Sequence, residues 1–183
     1  MHQYFTDESD KKDKFLSFLS TPQKIVLTAH QNPDGDAFGS ALGLYALLKQ
    51  MNHEVHVISP NKHSDYIGWM PGADQVIDFE NELEHGRAKR IIKEATLIFC
   101  LDFSSLNRLG RMEGAIKEAS AKKVLIDHHQ MPENFVEFVF WNEKAAATCQ
   151  LIYELIENLE LLNYVNLDVA TCLSTGILTD TGS

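Results

Sequence analysis

The run Lys24-Ile25-Val26-Leu27-Thr28, closing at His30, is followed by Gln31-Asn32-Pro33-Asp34-Gly35-Asp36, a segment reaching Met51, and Glu54-Val55-His56-Val57-Ile58. This stretch decides the fold. The first run is almost wholly apolar and β-branched, the pattern of a strand buried on both faces. Asn-Pro-Asp-Gly is turn chemistry. Beyond it Leu44, Leu47, Leu48 and Met51 recur at helical spacing, so a helix opens at Asp36 or its neighbour and runs through Met51. Gly39, Ala41 and Gly43 make part of that helix small enough for close approach to a sheet. Residues 54–58 alternate as the next strand. Strand, helix and strand in this order require a crossover, and a crossover joins parallel strands.

Outward from this unit the pattern repeats. Pro60 to Ala73 reads as loop, Val76 to Phe79 as a third strand and Leu83 to Glu94 as a helix. Thr96 to Leu101 is a central strand, Arg111 to Ala121 a helix and Val124 to Ile126 a strand. Phe135 to Trp141 reads as an edge strand, and Ala145 to Leu159 and Leu167 to Leu178 as two more helices. Upstream, a charged start from Asp7 to Lys14 leads into Phe15–Leu19, a short amphipathic helix that Pro22 ends. The expected fold is α/β, a mainly parallel sheet with helices on both faces, built as one domain over residues 1–183.

The bulk numbers agree. The chain has 183 residues, 44% of them hydrophobic, which suffices for one proper core. A formal net charge of −10 gives no general support for coating a long polynucleotide. Some of that charge is available as metal ligand. Cys100, Cys149 and Cys172 are sparse, lack Cys-x-x-Cys spacing and sit in apolar runs. They read as buried thiols in a reducing cytoplasm. The N-terminus does not read as a leader, and no apolar run approaches the ~18 residues of a membrane span.

In an open α/β sheet, ligands bind beyond the carboxyl ends of the strands. His30, Asp102 and Asp127 all fall there, and acid-rich motifs cluster with them. His30, Asp34 and Asp36 share one turn; its simplest reading is a loop with Asp36 capping the next helix. Asp102 ends the run Ile98-Phe99-Cys100-Leu101. Asp127-His128-His129 ends Val124-Leu125-Ile126, and Asp180 lies in Thr179-Asp180-Thr181-Gly182. Each alone reads as a turn or cap residue. Together, four carboxylates and two or three imidazoles could hold two divalent ions about 3.5–4 Å apart, an arrangement that activates water against phosphate esters. Imidazole with carboxylate suits Mn²⁺, Zn²⁺ or Fe²⁺, and no thiolate is placed for a structural zinc site.

These four motifs, with Leu-Asp-Phe-Ser-Ser-Leu-Asn-Arg-Leu-Gly at 101–110, resemble the DHH phosphoesterases in order and spacing over nearly the whole chain. Met70-Pro71-Gly72 and Ser105 to Leu109 look like the subgroup of bifunctional oligoribonucleases and 3′-phosphoadenosine-5′-phosphate phosphatases. The resemblance implies two Mn²⁺, with Mg²⁺ or Co²⁺ as substitutes. His30, Asp34 and Asp102 would hold one ion. Asp36, Asp102, His128 and Asp180 would hold the other, with Asp102 bridging. His129 would contact the substrate phosphate or protonate the leaving group, and Asp127 would orient a neighbouring imidazole. Arg108 is either a cation for phosphate or an ordinary surface residue.

The implied substrates are short RNA oligonucleotides and small nucleotide phosphates, handled in the cytoplasm without a membrane, with a homodimer allowed. The family's smaller C-terminal substrate-binding domain has no counterpart before Ser183, so the expectation is a catalytic domain alone. Rival readings are a cyclic-dinucleotide phosphodiesterase, a polyphosphatase, a single-strand DNA exonuclease, or a metal- and nucleotide-binding fragment without turnover. His53, His56, His63 and His85 read as surface residues, and Trp69 and Trp141 as core or edge packing.

Overall fold

The structure is a computed structural model, and it describes residues 8–130 and 132–182. Asp7 of the charged start, most of the stretch inspected for a leader, and Ser183 lie outside the described residues. Six strands form one sheet, β1 (Lys24–Ala29), β2 (Glu54–Ser59), β3 (Ile77–Asp78), β4 (Leu97–Leu101), β5 (Lys122–Asp127) and β6 (Phe138–Trp141). Their order is β3-β2-β1-β4-β5-β6, and every pairing is parallel. The helices are α1 (Glu8–Leu19), α2 (Gly35–Gln50), α3 (Glu82–Glu94), α4 (Glu113–Glu118), α5 (Thr148–Asn158) and α6 (Leu167–Thr181).

The period-2 geometry of strands splits the core in two. Ile25, Leu27, Leu97, Phe99, Leu101, Val124 and Ile126 face a cluster with Phe15 of α1, Leu42 and Leu47 of α2, Ile152 of α5 and Leu173 of α6. Val26, Ile98, Cys100 and Leu125 point the other way, against Ala88 and Ile92 of α3 and Ile116 of α4. Helices therefore cover both faces. This explains why the strands read as unbroken apolar runs.

Several boundaries differ from the sequence expectation, for local reasons. The helix expected from Arg111 is a 3₁₀ segment over Leu106–Met112 followed by the short α4, because Gly110 at φ 53° and ψ −127° breaks helical continuity. Its carbonyl neighbour Arg108 accepts from the Gln31 N–H at 2.8 Å, which ties this turn to the loop after β1. The third strand shrinks to two residues, and the edge strand starts at Phe138 instead of Phe135. His53 is buried, not exposed: its Nδ1 accepts from the Gln23 backbone N–H at 3.1 Å. Trp69 is exposed rather than packed.

Gly39 and Gly43 of α2 approach α6 rather than the sheet expected from the sequence, and at Gly39 the two helices meet almost backbone to backbone. A Cβ built at Gly39 would lie 2.5 Å from the Cys172 carbonyl oxygen, which no side-chain rotation can relieve. Gly39→Ala is therefore expected to destabilise the fold by about 1–3 kcal/mol through overpacking. Gly114→Ala meets nothing within 4 Å and should be neutral or slightly stabilising. Urea unfolding of the two variants checks the contrast; equal midpoints would refute the close approach that sets α6, and with it Asp180, over the sheet edge.

Candidate metal centre

The strand order reverses direction between β1 and β4, and the site forms at the carboxyl ends there, where such folds open a crevice. His30 follows β1, Asp102 follows β4 and Asp127 ends β5. The loop from β1 brings Asp34 and Asp36, and α6 brings Asp180 from the far end of the chain. All the expected ligands converge.

Asp34, not Asp36, caps α2. Its Oδ1 accepts from the N–H groups of Asp36 (3.1 Å) and Ala37 (3.0 Å). Its Oδ2 stays free and lies 3.7 Å from His30 Nε2. Asp36 is drawn inside the first turn of α2 and is fully buried. There its Oδ2 accepts from Thr148 N–H (2.6 Å) and its Oδ1 from Cys149 N–H (2.9 Å). The carboxylate of one helix thus caps the N-terminus of another. α5 needs this, because its own capping position is Ala147, which offers no side-chain oxygen.

Asp102 sits at the centre. Its Oδ2 lies 3.5 Å from His30 Nε2, and its Oδ1 lies 3.5 Å from His128 Nε2 and 3.6 Å from His129 Nδ1. His128 Nε2 also faces Asp180 Oδ2 at 3.3 Å and Asp36 Oδ2 at 3.9 Å. Asp102 has φ of +62°, the left-handed region that costs most residues energy and that Asp tolerates better than most. The strain is held by the sheet edge, where its N–H donates to Ile126 O at 3.0 Å.

The imidazoles are oriented from behind. His30 Nδ1 lies 2.9 Å from Gln31 O and His128 Nδ1 lies 3.2 Å from Ala145 O. A carbonyl only accepts, so each Nδ1 carries a proton and each Nε2 is the nitrogen turned to the site. His129 differs. Its Nδ1 pairs with Asp127 Oδ1 at 2.8 Å, and its N–H donates to the same oxygen at 3.2 Å. Trp141 Nε1–H donates to His129 O at 2.6 Å, which fixes the backbone from the edge strand.

Three overlapping groups of donors result, His30 with Asp34 and Asp102, Asp102 with His128 and His129, and Asp36 with His128 and Asp180, and the ligand atoms of each group lie within 4.8 Å of one another. Among the described residues these four carboxylates pair only with imidazoles, never with Lys or Arg. Their crowding is visible in the acidities. Burial, then the charge of Asp102, pushes Asp36 up to about 7, against the pull of its N–H donors. The same two causes raise Asp180. Burial opposes the charge on His30, but the facing carboxylates of Asp102 and Asp34 outweigh it and raise His30 to about 10. Carboxylates that repel one another, with imidazole nitrogens between them and neither Lys nor Arg in ion-pair reach among the described residues, fit divalent cations.

Arg108 is exposed and forms no ion pair among the described residues, and its charge acts on His129. The sequence reading missed Thr148 and Cys149. Their role depends on Asp36 reaching a distant helix, and the cue for it is a helix that begins after three alanines without a capping residue.

The sheet order and this cluster define an α/β domain with candidate metal-binding groups at its switch point. The chain belongs to the DHH family: the family's N-terminal domain matches residues 24–177. It is 31% identical over 161 residues to the bifunctional oligoribonuclease and PAP phosphatase NrnA of Thermus thermophilus, covering 87% of this chain and 44% of that protein. It is 26% identical over 171 residues to the cyclic-di-AMP phosphodiesterase GdpP of Bacillus subtilis, covering 90% of this chain and 26% of that one. The crystal structure of an exopolyphosphatase-related protein from Bacteroides fragilis superposes with a TM-score of 0.91 at 34% identity, covering 100% of this chain and 52% of the other. The chain thus spans about half the length, or less, of the relatives it matches.

Proposed function

We propose that this domain hydrolyses phosphate esters with two divalent cations, Mn²⁺ for preference, and that its substrates are short RNA oligonucleotides and 3′-phosphoadenosine-5′-phosphate. The observation that carries this reading is the split of Asp102, one oxygen toward His30 and Asp34, the other toward His128. One carboxylate that serves two groups of donors could be shared between two cations. His30, Asp34 and Asp102 would hold the first cation, and Asp36, Asp102, His128 and Asp180 the second. When bound, the cations supply Lewis acidity toward the phosphoryl oxygens and lower the pKa of water.

The remaining chemistry falls to the chain. Asp127 keeps the Nδ1 proton of His129, so Nε2 is the ring's free nitrogen and delivers a proton to the departing oxygen. The hydrogen bond to Asp127 raises the pKa of His129; burial works against it and the charge of Asp102 works with it. More of the ring is then protonated near neutrality, as a general acid requires. Arg108, on the turn tied to Gln31, offers positive charge to a substrate phosphate.

The choice of substrate rests on the NrnA relatives, whose names specify oligoribonuclease and PAP phosphatase, and on an acidic chain better suited to small substrates than to long polymers. The GdpP relatives support a second reading, a cyclic-dinucleotide phosphodiesterase. No helix among the described residues is long and apolar enough to cross a membrane. Three free, buried cysteines favour the cytoplasm.

The test is Mn²⁺-dependent release of phosphate from 3′-phosphoadenosine-5′-phosphate and of mononucleotide from a labelled RNA dinucleotide, beside cyclic di-AMP and polyphosphate. Turnover of the first two and not the others is expected. Turnover of cyclic di-AMP alone would transfer the assignment to the second reading. Tight Mn²⁺ binding without turnover of any ester would leave a binding domain and sink the hydrolase.

A further inference from the structure

Resting on the two-cation reading above, we infer that Thr148 is the positioning residue that aligns the shared carboxylate Asp102 with Asp36, and that its hydroxyl sets the affinity of the site for paired cations. Thr148 is fully buried at the start of α5 and belongs to none of the donor sets. It nonetheless touches Asp102, which faces both halves of the centre, and Asp36 beside it. Its N–H donates to Asp36 Oδ2 at 2.6 Å, the oxygen that faces His128. Its Oγ1–H donates to Asp102 Oδ1 at 2.8 Å.

The second contact matters most. Asp102 faces both halves of the centre only while its carboxylate plane keeps one oxygen toward His30 and the other toward His128. Rotation about the Cβ–Cγ bond is soft for an aspartate, and a roll of a quarter turn would take both oxygens out of line. Oδ1 is the oxygen turned to His128, and Oδ2 the one turned to His30. A hydrogen bond on Oδ1 alone fixes that assignment. It uses one lone pair and leaves the other, and the whole of Oδ2, for cations. The donor cannot wander: the same residue's N–H is locked on Asp36, and the next N–H, of Cys149, holds the other Asp36 oxygen at 2.9 Å. One short segment of backbone therefore sets the spacing between a carboxylate on the β1–α2 side and one on the β4 side. Partners behind metal ligands of this kind commonly change affinity by about 10–100-fold when removed.

Thr148→Val removes the hydroxyl and keeps the shape and both backbone donors, and Thr148→Ser restores the hydroxyl. Calorimetric titration with Mn²⁺ on wild type and both variants is the measurement, with metal-free Tm recorded for each. The expected result is an affinity loss of about 10–100-fold for Val and recovery to within about threefold for Ser. Equal Mn²⁺ affinity in wild type and Val, whatever the change in Tm, would show a packing role only and overturn the inference while leaving the metal centre standing. A loss in Val that Ser does not recover overturns it as well, because the hydroxyl is then not the cause. Absence of Mn²⁺ binding by wild type itself would remove the centre and this role together.

Discussion

Asp102→Asn is expected to lower phosphate-ester hydrolysis by more than about 1,000-fold while leaving the domain folded. A cation at such a centre contributes several kcal/mol to the transition state, and each 1.36 kcal/mol is about tenfold in rate. The amide keeps one oxygen, and the Thr148 hydroxyl, which donates to Oδ1, favours placing that oxygen on the His128 side. The NH₂ group then faces His30 and cannot ligate, so the first donor set loses a member and the bridge is broken. Asparagine suits this position for a second reason. The backbone is left-handed at φ +62°, where Asn is as tolerant as Asp and Ala is not. Asp102→Ala would mix backbone strain with the loss of chemistry. Steady-state kinetics at saturating Mn²⁺, with the Tm of the metal-free proteins alongside, separates the two. Activity within about tenfold of wild type would refute the bridging role.

What could be read from the sequence, and what could not, follows from the range of the interactions involved. β1, β4 and β5 were legible because a strand buried on both faces must be apolar throughout, as Val26, Ile98 and Leu125 are between their oppositely directed neighbours. His30, Asp102 and Asp127 were legible as a group because each interrupts such a run at its carboxyl end. The division of labour between Asp34 and Asp36 was not. Which of two aspartates caps α2 depends on where Asp36 is pulled, and it is pulled by α5, more than a hundred residues away along the chain. The same contact moved the expected start of α5 from Ala145 to Thr148, since the cap comes from another helix. The helix expected from Arg111 starts only at Glu113, behind a 3₁₀ segment kinked at Gly110, where the Gln31 side chain and backbone pack against the turn. Local periodicity carries no trace of either partner.

Loading with Mn²⁺ is expected to raise the Tm, and to raise it more at pH 8 than at pH 6. Binding to the folded state alone adds about 2.7 kcal/mol at a free concentration 100 times Kd, which for a domain of this size is about 5–11 °C. The pH dependence comes from the metal-free state. His30, held at about 10, carries a proton throughout this range, and Asp36, held at about 7, carries one for part of it. A raised histidine stabilises the folded form below its unfolded value of about 6.5, and that contribution drains away as pH climbs toward 10. A raised aspartate costs stability as pH climbs from about 4 toward 7. Both make the metal-free protein weaker at pH 8 than at pH 6. Cations need these groups deprotonated, so binding expels the protons and tightens as pH rises. Asp34, held at about 2, is ionised across the window and does not contribute to the trend. Differential scanning calorimetry with Mn²⁺ and with a chelator at the two pH values measures the gap directly. A gap that narrows toward pH 8 would mean that the protonated His30 and Asp36 are not the groups the cations displace, and would remove both from the ligand set.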